Sequence, residues 1–159
     1  MQVIPALLRC HGYFVTGLML TANSDYDQKK PTALNFEDLK IEPAADALPE
    51  EQGKILWRVT LQVQQNVEAD KNAPYNFSVG LVGTFEVHPK FPADKIKEMV
   101  SVNGSSILYS AARQILREVM NNGPFPALDL PTVRFLEKDK PAPTPQVSEP
   151  KPGTDEKPN

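Results

Sequence analysis

Two stretches of strict alternation constrain this chain more than any other feature. In residues 55–67, Ile55, Trp57, Val59, Leu61 and Val63 fall on one side, with Arg58, Thr60, Gln62 and Gln64 opposite. Residues 75–87 repeat the pattern with Tyr75, Phe77, Val79, Leu81, Phe85 and Val87. Side chains of an extended backbone point alternately to two faces, so a period of two predicts strands with one buried and one largely solvated face. The short polar segment 68–74 between them suits a hairpin.

Two further segments read as strands. Residues 7–20 are rich in β-formers (Tyr13, Phe14, Val15, Thr16), and residues 35–43 place Phe36, Leu39 and Ile41 among charges in a shorter, more exposed candidate. After Pro89 the period changes. Pro92 sits where a first helical turn accepts it, and Asp94, Lys95, Lys97 and Glu98 come next in a short amphipathic helix that Asn103-Gly104 breaks. A longer helix then begins at Ser105 or Ser106. Leu108, Ala111, Ala112, Ile115, Leu116 and Val119 recur along it at helical spacing, and Asn121-Asn122-Gly123 with Pro124 ends it. Three or four antiparallel strands followed by a short and a long helix is an α+β order.

Residues 7–20 depart from alternation, because Tyr13, Phe14, Val15, Leu18, Met19 and Leu20 put apolar groups on both faces. One long helix covers one face only. The other needs a second subunit, an unfolded client or both, unless the short helix or residues 125–135 fold back over it.

With 159 residues, 40% apolar and 23% charged, the chain has the composition of one globular domain. The net charge of −3 and scattered basic residues, the longest run being Lys29-Lys30, point away from nucleic acid and anionic membranes. One cysteine, Cys10, rules out an internal disulfide framework and fits a reducing compartment. No apolar run approaches the ~20 residues that span a bilayer. The first 20 residues lack the basic start of an export signal and are interrupted by Arg9 and His11, so they read as a strand and the protein as cytoplasmic. A domain over residues 1–136 gives way to residues 137–159, where Pro141, Pro143, Pro145, Pro150, Pro152 and Pro158 surround one aliphatic residue, Val147. That composition predicts a disordered spacer.

Catalytic and metal patterns are sparse. Cys10 and His11 are neighbours on a strand and point to opposite faces, so they cannot act as nucleophile and base. His88, before Pro89, reads as a surface residue, and one cysteine with two distant histidines leaves a zinc site short of ligands. Residues 23–27 (Asn23, Ser24, Asp25, Tyr26, Asp27) read as a turn, because the glycine and distal glutamate of a calcium loop are missing. Glu50-Glu51 is a solvated pair, and neither a phosphate-binding glycine loop nor a nucleophile elbow is present. The chain therefore reads as a non-enzyme with no cofactor.

Residues 106–135 resemble the bacterial export chaperone SecB. That family's "ILFPYARE…I" helix leads into "GTFPQLNLAPVNF", matched here at Ile107, Leu108, Ala112, Arg113, Ile115, Gly123, Phe125, Pro126, Leu128, Leu130, Val133 and Phe135. Residues 56–60 are similar to its "VLRVT" strand, and Gly83-Thr84-Phe85 to its "GGIF" turn. The resemblance implies a four-stranded antiparallel sheet with helices, assembled as a homotetrameric dimer of dimers. It also implies unfolded polypeptides as clients, held without ATP in apolar grooves. Groove-lining roles would fall on Tyr13, Phe14, Leu18, Leu20, Phe77, Phe85, Leu108, Tyr109, Phe125 and Leu128, and an oligomer interface on Leu108, Ala112, Ile115 and Val119. Three departures argue against docking on the translocase motor SecA. Asn76 and Ser78 stand where the family has Leu-x-Glu, apolar groups near Phe14 and Leu18 replace acidic ones, and the Pro-rich tail replaces a C-terminal helix. Related SecB-like chaperones guard an antitoxin, which is the alternative role.

Overall fold

The computed structural model describes residues 6–32, 34–65 and 72–136. The two alternating stretches become β3 (Ile55–Gln65) and β4 (Tyr75–Val87), joined antiparallel with Leu61 opposite Leu81 and Val63 opposite Val79. Their apolar residues share one face, and Val59, Leu61, Val63, Phe77, Val79, Leu81 and Phe85 are all buried there. Residues 66–67, the end of the expected strand, and 68–71, in the expected hairpin connection, lie outside the described residues, as does the proline-rich segment 137–159.

β1 (Leu8–Ala22) pairs with β4, and β2 (Leu39–Ala47) with β3, so the antiparallel sheet runs β1-β4-β3-β2. β2 carries Pro43 in mid-strand and Lys40, Glu42 and Asp46 on its exposed side. Proline lacks the donor a central strand needs, so it is confined to an edge such as this one.

The inner face is covered by one helix, α1 (Ile96–Met120), entered through a single 3-10 turn at Ala93–Lys95. The expected break between a short and a long helix does not occur. Asn103-Gly104 lies inside α1, and Ser105 and Ser106 are interior rather than capping residues. The reason is contact with the sheet: a Cβ at Gly104 would lie 2.8 Å from Val59 Cγ2. Glycine costs a helix about 1 kcal/mol relative to alanine. That loss is smaller than the gain from burying Ile96, Val100, Leu108, Leu116 and Met120 along one continuous seam, at ~1.5–3 kcal/mol per large side chain. The Ser106 and Ser110 hydroxyls donate to the carbonyls one turn earlier, Val102 at 2.8 Å and Ser106 at 3.0 Å. The helix stops as expected at Asn121, where the Gly123 amide bonds the Met120 carbonyl at 2.9 Å.

Candidate binding surface

β1 is long and apolar, and its pairing with β4 contains two bulges. The register passes from Cys10 opposite Phe85 to Gly12 opposite Thr84, and again from Val15 opposite Leu81 to Gly17 opposite Gly80. His11 and Thr16 are the extra residues. Each bulge reverses the side-chain phase of the residues beyond it. The helix-facing side therefore carries Leu8, Cys10, Tyr13, Val15, Leu18 and Leu20, while Phe14 and Met19 face outward with Arg9. The apparent two-sidedness of residues 7–20 thus has two sources: a shifted phase, and two apolar groups on the outer face.

The middle of β1 is uncovered on both faces. α1 packs chiefly on β3 and β4, leaving Tyr13 45%, Val15 42% and Leu18 43% exposed on the inner side, and Phe14 62% and Met19 53% on the outer. Residues 125–135 do not fold back over these five side chains. At the start of β1, Leu7, Leu8, Phe91, Met99 and Ile107 line a cleft of about 470 Å³ that joins strand to helix. Apolar groups this contiguous on a soluble surface mark a contact site.

Of the residues expected to line a groove, Tyr13 and Leu18 are exposed on the inner side of β1 and Phe14 on its outer side, while Leu20 is half-buried near the strand's end. Phe77, Phe85, Leu108, Tyr109 and Leu128 are buried in the chain's own core, so they do not line an open groove. Phe77 and Phe85 point from β4 toward α1, Leu108 and Tyr109 lie on the buried side of α1, and Leu128 packs from the segment that follows it. Leu108 and Ala112, expected at an oligomer interface, are spent on the helix–sheet seam, whereas Ile115 and Val119 remain half-exposed. Sequence reasoning did not assign Val15, Met19, Leu7, Met99 or Ile107 to a site. For Ile107 the available signal is its position beside the buried helical stripe rather than on it.

Along β4 the outer face holds one charge, Glu86, whereas β2 and β3 carry Lys40, Glu42, Asp46 and Arg58 on theirs. Asn76 and Ser78 do lie on this face of β4, Ser78 accepting a 2.7 Å bond from the Gln62 amide. Glu86 is the carboxylate of β4's outer face, and His11 bonds it at 2.6 Å. That bond, helped by Lys54 and Arg9 and opposed by partial desolvation, holds the Glu86 carboxyl below its ordinary range. Phe14 shares this face, but Leu18 lies on the inner one. His88 is exposed and accepts from the Lys90 amide, and residues 23–27 form a turn in which the Asn23 side chain accepts from the Asp25 amide at 3.0 Å.

Beyond α1, residues 123–136 run across the core without regular secondary structure, burying Leu128 and Leu130 and half-burying Phe125, Val133 and Phe135. Two tyrosine hydroxyls grip the backbone of this strap. Tyr75, at the start of β4, donates to the Phe125 carbonyl at 2.5 Å and accepts from the Phe125 amide at 2.9 Å. Tyr109, on α1, donates to the Pro131 carbonyl at 2.8 Å. Burial raises the Tyr109 phenol above its usual range, against a smaller opposing effect of Arg113, so it stays a donor. The Phe125 ring sits between Tyr26 and Tyr75 at centroid distances of 4.9 and 6.0 Å, and Phe135 stands 6.1 Å from Tyr109.

By architecture this is an α+β scaffold: an antiparallel sheet of order β1-β4-β3-β2, backed by one helix and a strap, that displays an apolar edge strand. Its sequence profile places it. Residues 22–137 match the family described as preprotein translocase subunit SecB, a match that begins at the last residue of β1, and the chain belongs to the SecB family. It is 25% identical over 109 residues to a protein-export protein SecB of Rhodopseudomonas palustris strain BisB5, covering 69% of this chain and 64% of that one. A second SecB from the same species, strain TIE-1, is 25% identical over 84 residues, or 53% of each chain. The chain thus spans about half to two thirds of the length of these curated relatives. In fold it is similar to a SecB-like chaperone of Mycobacterium tuberculosis solved with an antitoxin peptide, at TM-score 0.57 and 16% identity, over 81% of this chain and 92% of that one. It is also similar to a protein of unknown function from Streptococcus agalactiae, at TM-score 0.50 and 13% identity, over 79% and 97% of the two chains. At the family level these are chaperones and export proteins rather than enzymes. Among the described residues, no helix is long and apolar enough to cross a membrane.

Proposed function

We propose that this chain is an ATP-independent holdase that keeps non-native polypeptides from aggregating, as a homotetrameric dimer of dimers. The observation that carries the reading is β1, with five large apolar side chains open to solvent on its two faces. An extended client touching such a surface gains ~25 cal/mol per Å² from many small contacts, which makes binding strong in sum and tolerant of sequence. The two faces divide the work. The inner side (Tyr13, Val15, Leu18) continues the core and suits a second subunit, while outer Phe14 and Met19 stay open to a client. Dilution of a denatured client with and without the protein tests this. Suppressed light scattering at equimolar tetramer is expected, and undiminished aggregation would refute the reading.

A second reading is a dedicated chaperone for one partner, such as an antitoxin. It is favoured by the fold neighbour that was solved with an antitoxin peptide, and by the near absence of carboxylates on the outer face of β4, which argues against docking on SecA. Affinity capture from extract separates the two readings. One stoichiometric partner supports the dedicated role, and a broad set of unfolded proteins supports the general one.

A further inference from the structure

The strap over residues 123–136 is held on the core in the way a holdase would hold a client. Its grips are on the backbone, through the Tyr75 and Tyr109 hydroxyls, and any polypeptide offers the same carbonyls and amides. Its buried side chains are apolar, while Asp129, Thr132 and Arg134 between them point to solvent. Pro124, Pro126 and Pro131 lack amide donors and have restricted backbones, so the segment lies extended without becoming a strand. Its aromatic slot between Tyr26 and Tyr75 adjoins the inner face of β1, because Ala22 pairs with Tyr75 and Leu20 with Phe77.

We propose that residues 123–136 occupy the chain's own polypeptide groove as a tethered stand-in, and that an unfolded chain binds fully by displacing them. This rests on the polypeptide-binding reading above and specifies its site and its ligand. The ligand is an extended segment with an aromatic residue at one end, two aliphatic residues three and five positions on, and a second aromatic residue after a further five, the spacing of Phe125, Leu128, Leu130 and Phe135. A tethered competitor acts at an effective concentration in the millimolar range. Short or weakly apolar peptides therefore lose to the strap, and a long unfolded chain wins by adding contacts beyond those the strap makes. The groove tests a ligand for length and apolarity before admitting it.

The prediction has an unusual sign. If Phe125 and Leu128 were part of the client's binding surface, trimming them would weaken capture. As plugs they should strengthen it. The test uses the full chain, wild type and Phe125→Ala/Leu128→Ala, titrated into a fluorescently labelled, reduced and carboxymethylated protein and followed by anisotropy. Circular dichroism checks that both are folded. Apparent affinity scales with the fraction of open groove, so about tenfold tighter binding is expected in the variant. Hydrogen exchange on the wild type is the second measurement: the Phe125 amide should lose protection when client is added. Wild-type binding that is unchanged or weaker in the variant, or a Phe125 amide equally protected with client bound, would overturn the strap proposal alone. Failure of both forms to bind would overturn it together with the polypeptide-binding reading.

Discussion

Gly104 lets α1 lie close enough to β3 for Val59 to touch the helix backbone, and a methyl there would stand 2.8 Å from Val59 Cγ2. Val59 is fully buried and its branched side chain has little room to turn. Gly104→Ala would gain up to ~1 kcal/mol of helix propensity but incur ~1–3 kcal/mol of overpacking. The net expectation is a loss of about 1–2 kcal/mol, read as a lower urea midpoint. Glu86 supports a prediction in pH. Its carboxyl is depressed in the folded state, chiefly by the bond from His11, so the stability it adds is present above the unfolded carboxylate pKa. That stability is lost as pH falls through the lower folded value. Glu86→Gln should therefore lower the melting temperature at neutral pH and converge with wild type in acid; a gap that does not change with pH would show that the pair contributes nothing. The effect is small, because the pair sits at the partly solvated surface of the sheet.

At the scale of elements, β3 and β4 were legible because an uninterrupted period of two admits only one phase. β1 was legible as a strand but not in its phase, because bulges leave no local mark in composition, and only pairing with β4 reveals them. The expected helix break fails for a related reason: Asn103-Gly104 is a stop signal in isolation, and what overrides it is packing on a residue more than forty positions earlier in the chain. The same limit explains Phe77, Phe85 and Leu108. Their types suit a groove or a core equally, and only the packing of α1 on the sheet decides. The division of β1 into two faces yields paired variants. Tyr13→Ser/Leu18→Ser, on the inner side, should reduce the associated fraction in sedimentation. Phe14→Ser/Met19→Ser, on the outer side, should leave mass unchanged and lower client capture several-fold. Phe14 and Met19 are more than half exposed, so each of their substitutions should change monomer stability by about 0.5 kcal/mol or less, while Tyr13 and Leu18, less exposed, should cost somewhat more.

For the whole molecule, a strand uncovered on both faces along its middle makes stability depend on association. If a second copy covers the inner side of β1, the melting temperature should rise with protein concentration, as mass action requires. Ile115, half-exposed on α1 beside the core, is the helical counterpart. Ile115→Asp should place an unpaired charge in that contact and lower the assembly's mass by light scattering; a variant of unchanged mass would remove this face from the interface. Residues 137–159 carry a composition unable to build a core, so truncation after Glu137 should leave the melting temperature nearly unchanged.

The two bulges of β1 act as compensating frameshifts. Tyr13 and Val15 between them stand at odd positions, Leu8, Cys10, Leu18 and Leu20 outside them at even ones, and all six still share a face. The bulges at His11 and Thr16 are therefore where β1 can lose a residue without turning its apolar groups inside out. Deleting either removes an unpaired residue and leaves every other pairing with β4 in place. Deleting Phe14 instead would absorb the same bulge but bring Tyr13 opposite Val82 and turn it to the outer face. Along most of a strand, length is fixed by the partner; here it can drift by two residues while both faces keep the same text.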